Sequence, residues 1–285
     1  MYSDRFMALT SRWLLTRDGV LFGLMLVMAL WLPDEIWAED LPKLPPSAQS
    51  AETPPNKVVV MSIKGSISRN LLQKVKDNVA QVQGDPVPAG LIVLVDSKGG
   101  DGFAAMQIGR ILRARKAHVF VSGDCASACV YILASGVVRG ASAYSVGIHQ
   151  GRVTISDDNS KVIREVDLAK EPKAQQALER FDRASVEYFA QMGISSQFYP
   201  TMRSHKYKGV HRLNHEELVS FGLIGFENSY LAERSAFYER QTGAYRMDQD
   251  ELRRRTLRVG GQCAIQARHQ NEFVQCYKEI LKDPY

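Results

Sequence analysis

Short apolar runs alternate with amphipathic stretches through the middle of this chain. Val58-Val59-Val60-Met61-Ser62-Ile63 is rich in β-branched residues and ends at the turn-like Lys64-Gly65-Ser66-Ile67-Ser68, which predicts a strand. From Asn70 to Val82 apolar residues fall at 71, 72, 75, 79 and 82, a helical stripe closed by Gly84-Asp85-Pro86. Leu91-Ile92-Val93-Leu94-Val95 does not alternate, so it reads as a strand covered on both faces. Phe103 to Arg113 returns to helix, Val119-Phe120-Val121 to strand, Ala128 to Ala134 to a buried helix, and Ala143 to Ile148 to a short strand. Strand and helix in turn argue for an α/β domain with a largely parallel sheet.

After His149 the pattern changes. Residues 151–166 are polar and suit a β-hairpin turning at Asp158-Asn159. Leu168 to Met192 is a long amphipathic helix with Leu178, Phe181, Val186 and Phe189 on its apolar side and Gly193 as its stop. Leu218 to Ile224 closes the compact domain. From about Glu227 the chain is charged and aromatic, a helical appendage. The folded domain therefore spans 57–226 and the C-terminal extension 227–285.

The first residues carry a different message. Arg5, Arg12 and Arg17 precede an apolar run from Gly19 to Leu32, followed by Ile36-Trp37-Ala38-Glu39. That is the pattern of a secretory signal over 1–38, cleaved after Ala38, and an uncleaved anchor is the alternative. Fourteen apolar residues fall short of the ~20 that a membrane span needs. Residues 39–56 hold five prolines and read as an extended linker. Export places the body of the chain in the periplasm or outside the cell, where disulfides persist. Cys263 and Cys276 are expected to pair. For Cys125 and Cys129, buried thiols and a bond are both open, because four residues apart on a regular helix they would strain a bridge. A formal charge of +5, with no like-charge block beyond Arg253-Arg254-Arg255, gives no ground for a nucleic-acid partner.

Three segments carry candidate chemistry: Ser97-Lys98-Gly99-Gly100, Gly123-Asp124-Cys125-Ala126-Ser127 and Ile148-His149-Gln150. A serine at the mouth of a helix, a histidine downstream and a glycine pair are what acyl transfer needs. In order and separation they resemble the Clp protease proteolytic subunit and its relatives, with Glu217 to Leu223 resembling that family's ending. Export brings the resemblance closer to an exported branch related to signal peptide peptidase A. It covers about Val58 to Gly225.

The resemblance implies a ClpP/crotonase fold and a serine peptidase without cofactor or metal. Ser127 would be the nucleophile and His149 the base, with the amides of Ala128 and of Gly99 or Gly100 forming the oxyanion hole. It implies a peptide or unfolded-chain substrate and a homo-oligomer assembled through the helix 168–192. An exported protein meets no cytosolic ATPase partner, and it meets a membrane only if the N-terminal segment stays uncleaved.

Two positions depart from the family. Register with Leu213 and Gly222 puts Val210 where the family has aspartate, leaving Asn214, Glu216 or Glu217 as candidates for a third member, or a dyad. Lys98 stands where the family has proline. The missing acid motivates a rival reading, a fold kept for binding or scaffolding after activity was lost. A crotonase-type acyl-thioester enzyme and a zinc site from Cys125, Cys129 and His149 are further rivals.

Overall fold

The computed structural model describes residues 59–81, 91–156, 162–204, 209–227, 229–234, 236, 249–264 and 270–281. The signal-like segment, the proline-rich linker and the hairpin turn at Asp158-Asn159 lie outside them. No helix among the described residues is long and apolar enough to cross a membrane.

Strand β1 (Val59–Lys64) leads through helix α1 (Arg69–Ala80) to β2 (Leu91–Ser97), then α2 (Gly102–Ala114), β3 (His118–Ala126), α3 (Cys129–Ser135) and β4 (Val138–Gly140). These four strands are parallel neighbours in the order β1-β2-β3-β4. Ser68 caps α1 by accepting from the Leu71 amide, and Asp101 caps α2 from the Ala104 amide, so both helices start where the sequence offers a side-chain acceptor. The α/β architecture, with a largely parallel sheet flanked by helices, is the one the hydrophobic pattern predicts.

The three crossover helices lie in one core. Leu72, Val75, Ile108, Leu112 and Val130 pack there with Ile63, Val93, Val95, Val119 and Val121. The alternate residues of the same strands, Ile92, Leu94, Phe120 and Val138, face the opposite way and would be bare if the chain stopped near 226. Helices α7 (Gln249–Arg258) and α8 (Gln270–Leu281), the π-helical turn Val259–Cys263 and residues 229–234 cover them, with Leu252, Phe273 and Tyr277 fully buried. Burying each large side chain contributes roughly 1.5–3 kcal/mol. The C-terminal extension is thus the sheet's second layer, and the expected Cys263–Cys276 disulfide joins its π-helical turn to α8.

Helix α4 (Pro172–Gln191) starts at Pro172, whose fixed φ suits a first helical turn, and Gly193 follows it at φ +69°. Its buried face runs through Ala174, Ser185, Tyr188 and Phe189. Val186, expected on the apolar side, is instead exposed, because Ser185 and Tyr188 take the inward positions and satisfy their hydroxyls on Tyr131.

β3 then divides. Its first half pairs with β4 and its last two residues pair with β5 (Val146–Ile148), Cys125 opposite Val146 and Ala126 opposite Gly147. β5 in turn pairs antiparallel with β8 (His211–Arg212), while β9 (Gly225–Phe226) closes the other branch against β4. The hairpin of β6 (Thr154–Ser156) and β7 (Val162–Glu165) forms its own two-stranded sheet. Helices α5 (Phe198–Ser204) and α6 (His215–Phe221) complete the first core with Phe198 and Leu218.

Candidate active site

The site forms where β2 and β3 end. Between Val121 and Cys125 strand β3 carries extra residues relative to β2, which goes directly from Val95 to Ser97 through Asp96. Such a bulge bends a strand. Asp96 accepts from the Asp124 amide at 2.9 Å, and the backbone at Gly123 passes so close that a Cβ there would lie 2.5 Å from the Asp96 carboxylate. The bulge swings the end of β3 from β4 onto β5.

Ser127 is the first residue beyond β3, and its φ is +56°. A left-handed serine is uncommon and costs on the order of 1–3 kcal/mol. Its amide donates to Gly147 O at 3.0 Å, which ties it to β5, and its own carbonyl accepts from Val130 in the first turn of α3. The Ala128 amide has no hydrogen-bond partner among the described residues. Behind Ser127, α3 is held by Tyr131, stacked on Phe189 at 4.6 Å, and by buried Arg139, which donates to Ala134 O and Met192 O. Burial lowers the Arg139 pKa to about 10, so it remains a cation across two helix ends.

The glycine turn lies directly against the serine. A Cβ on Gly99 would stand 2.7 Å from Ser127 Cβ and 3.0 Å from the Ala128 nitrogen. Gly99 and Gly100 have φ of +104° and +144°, a conformation open to glycine. The Gly99 amide donates to the buried Ser97 hydroxyl, which itself donates to Gly65 O. Gly99 O accepts from Ile67 N, and Ile67 O accepts from Asp101 N. Both bonds of that bridge belong to the neighbours of Gly100, so its own amide is left without a partner among the described residues. Of the two expected candidates, then, Gly99 spends its N–H inside the turn and Gly100 has the free one.

His149 follows β5. Ala126 pairs with Gly147, so Ser127 and His149 leave the C-terminal ends of adjacent parallel strands. The one hydrogen bond of the His149 ring within the described residues runs from Nδ1 to Gln150 O, 2.8 Å, with the ring nitrogen donating. In the neutral ring that arrangement leaves the lone pair on Nε2. Ser127 and His149 are not hydrogen-bonded to each other; such contacts are often loose without substrate.

None of the expected third members reaches His149. Asn214 caps α6 by accepting from the Glu217 amide, and the Glu217 carboxylate returns to the Asn214 amide and also accepts from His211 Nε2 at 2.7 Å. Glu216 is exposed on the same helix. The spacing Asn-x-x-Glu before an apolar run is itself a capping-box signal, and that competing role claims both residues. β8 pairs with β5 as Ile148 with His211 and Gly147 with Arg212, so the next pair in register sets Val210 opposite His149.

Sequence reasoning missed one charged pair. Arg212 reaches across Gly147, where a Cβ would stand 3.3 Å from its Cζ, and forms a bidentate ion pair with Asp124 on the bulge. The Arg212 guanidinium, with help from Lys98, holds the Asp124 carboxyl below its usual range. Asp124 and Arg212 are 88 positions apart, and nothing local in the sequence marks them as partners. A groove of about 460 Å³ opens one residue past Gly100, between the first turns of α1 and α2, lined by Arg69, Leu72, Asp101, Phe103 and Ala104 among others.

Cys125 and Cys129 are joined, with Cα atoms 5.2 Å apart. The expectation of strain assumed a regular helix. Cys125 instead ends a strand, Ser127 turns left-handed, and Cys129 begins α3. The bond removes the thiolates a zinc site would need.

No protein-family model matches the chain, and no curated protein does. Among solved structures it is similar to a mutant of the membrane-bound stomatin-specific protease 1510-N, at 20% identity and a TM-score of 0.42 over 63% of this chain and 84% of that one. A second mutant of that protease, in complex with a substrate peptide, gives 20% identity and 0.42 over 63% and 80%. ClpP1 from Listeria monocytogenes gives 17% identity and 0.40 over 58% and 88%.

Proposed function

We propose that this chain is an exported serine hydrolase that cleaves short or unfolded polypeptides without ATP. The observation that carries the reading is the Ser127 turn: a left-handed serine between a strand and a helix, with the Ala128 amide next in the chain and the Gly100 amide one residue past the glycine that packs on Ser127, both without a partner among the described residues. Strain of this kind persists where function uses it, and two free amides beside a nucleophile are the donors an oxyanion needs.

In this reading the Ser127 hydroxyl passes its proton to His149 Nε2 as its oxygen attacks the scissile carbonyl. The amides of Ala128 and Gly100 receive the negative charge. His149 then gives the proton to the departing amine, and water releases the acyl group by the same route reversed. Gln150 O does the orienting that a triad carboxylate performs elsewhere. A neutral carbonyl stabilises the imidazolium less than a carboxylate, so turnover is slow and the acyl-enzyme is long-lived. The groove past Gly100 offers room for a substrate side chain with an apolar stem. The proposed setting is the periplasm or the exterior, and the proposed assembly a homo-oligomer.

Fluorophosphonate labelling with the modified peptide located by mass spectrometry tests the reading. Label on Ser127, abolished by Ser127→Ala and slowed by His149→Ala, is the expected result. A folded protein that takes no label would instead be a fold retained for binding.

A further inference from the structure

We propose that the Cys125–Cys129 disulfide is the element that sets Ser127 in its reactive conformation, so that the nucleophile is assembled only once these two thiols have been oxidised. The inference rests on the serine-hydrolase reading and extends it to the control of the same site.

The bond closes a five-residue loop with Ser127 at its centre. Its ends are anchored: Cys125 pairs with Ser97 of β2 and Val146 of β5, and Cys129 is the first residue of α3, fully buried like Cys125. The segment between them is otherwise held by main-chain bonds, from Ser127 N to Gly147 O and from Val130 N and Tyr131 N back to Ser127 O and Ala128 O, and by the Gly99 turn packed on Ser127. Ala128 occupies the cap position of α3 and provides no capping side chain, whereas Ser68, Asp101 and Asn214 cap α1, α2 and α6. Alanine is among the poorer residues there. Ser127 is at φ +56°, a left-handed conformation uncommon for a serine. A covalent link from strand end to helix start adds to those bonds a constraint that breathing of the main chain does not release. A loop this short constrains the unfolded chain little, so the bond's main effect is on local geometry.

Oxidation proceeds by thiol–disulfide exchange. The thiolate of one cysteine attacks the disulfide of a dithiol oxidant, forming a mixed disulfide and releasing one oxidant thiolate. The second cysteine then attacks the mixed disulfide, the Cys125–Cys129 bond forms, and the oxidant leaves as its dithiol. Two electrons and two protons pass from the cysteines to the oxidant. Both sulfurs belong to fully buried residues, so the step accompanies folding and persists afterwards. A chain still in a reducing compartment would hold its serine out of register. The hydrolase would be silent until it reaches an oxidising one.

The test compares three full-length proteins under oxidising conditions: the wild type, Cys125→Ala/Cys129→Ala, and Cys263→Ala/Cys276→Ala. The rate of fluorophosphonate labelling at Ser127 and the thermal midpoint are measured for each. The expected result is a labelling rate at least tenfold lower in the first variant, with the pH profile of labelling unchanged in shape. The second variant should lose more thermal stability yet label at the wild-type rate. Cys125→Ala/Cys129→Val, which refills the sulfur volume, stands in if the alanine pair does not fold. Labelling of either 125/129 variant within twofold of the wild type overturns the inference and leaves the hydrolase reading intact. So do rates in both disulfide variants that simply track their thermal midpoints. A folded, oxidised wild type that takes no label overturns both.

Discussion

The two halves of β3 show how one strand serves two purposes. From His118 to Val121 it is a regular parallel strand between β2 and β4, with Val119 and Val121 in one core and Phe120 in the other. Its positions are set by area and shape. His118 is buried there too, hydrogen-bonded at 2.6 Å to the Tyr230 hydroxyl, which accepts from Arg234; burial and that guanidinium hold the imidazole neutral, well below its usual pKa. From Ser122 to Ser127 the same strand bulges and changes neighbours. There its course depends on a carboxylate, an ion pair, a disulfide and a glycine turn. Substitutions in the first half should therefore move stability alone, and substitutions in the second half, or in the glycine turn against it, should add a local effect of their own on the site or on the pair that holds the bulge.

The largest effect should come from Phe120→Ala, which empties a fully buried site packed on Phe273 at 5.8 Å. A loss of about 3–5 kcal/mol is expected in urea titrations. The Ser127 labelling rate of the molecules that remain folded should be unchanged, and a slower rate would break the division.

Gly99→Ala probes the other half. Its Cβ would press on Ser127 and on the Ala126 carbonyl at 2.9 Å. Labelling should slow by ~10²–10³, the scale on which loss of an oxyanion donor acts. Stopped-flow labelling beside a thermal melt checks that the rate falls by more than the lost stability explains.

His118 supplies the next contrast. Its folded pKa is depressed, so unfolding takes up a proton below the ordinary histidine pKa of ~6.5. Its contribution to stability is complete above that pH and drains as pH falls below it, at up to ~1.4 kcal/mol per pH unit. Denaturant titrations from pH 7.5 to 5 should show that slope in the wild type and a shallower one in His118→Gln.

The smallest effect belongs to Asp124→Asn. The folded pKa of Asp124 is lowered by Arg212, so its contribution is present above the ordinary carboxylate pKa and is lost as pH falls through the lowered value. The pair is partly exposed, with side chains at 38% and 26%, and solvent screening keeps it to ~1 kcal/mol or less. The acid limb of the wild-type stability profile should be steeper than that of the variant, and equal slopes would show the pair to be decorative.

Much of this arrangement was legible from residue order. β1, α1, β2, α2 and the first half of β3 fall where apolar spacing puts them, because each buries a contiguous stripe that the sequence displays. Ser127, Gly99-Gly100 and His149 stand just past the ends of neighbouring strands, where the sequence lets each apolar run stop. The two-residue strands β8 and β9 left no trace, since so short a segment has no period. Nor did the ion pair between Asp124 and Arg212, or the division of labour between Gly99 and Gly100, which depends on the partner Ser97 chooses.

The sequence by itself determined the alternating architecture, the serine, histidine and glycine candidates, and the cysteines at 263 and 276 as a pair. These follow from local periodicity and from residue chemistry. Tertiary structure alone decided the rest. It turned the C-terminal helices into the cover of the sheet's second face. It bonded Cys125 to Cys129 by making a bulged strand end where a helix was assumed. Among the described residues it also set the Gln150 carbonyl, and none of the three candidate side chains, against the His149 ring. The cover depends on which surfaces meet after the chain has folded back on itself, and no window of sequence contains both sides of that contact; the short-range outcomes depend on the backbone path that the bulge in β3 and its pairing with β5 impose.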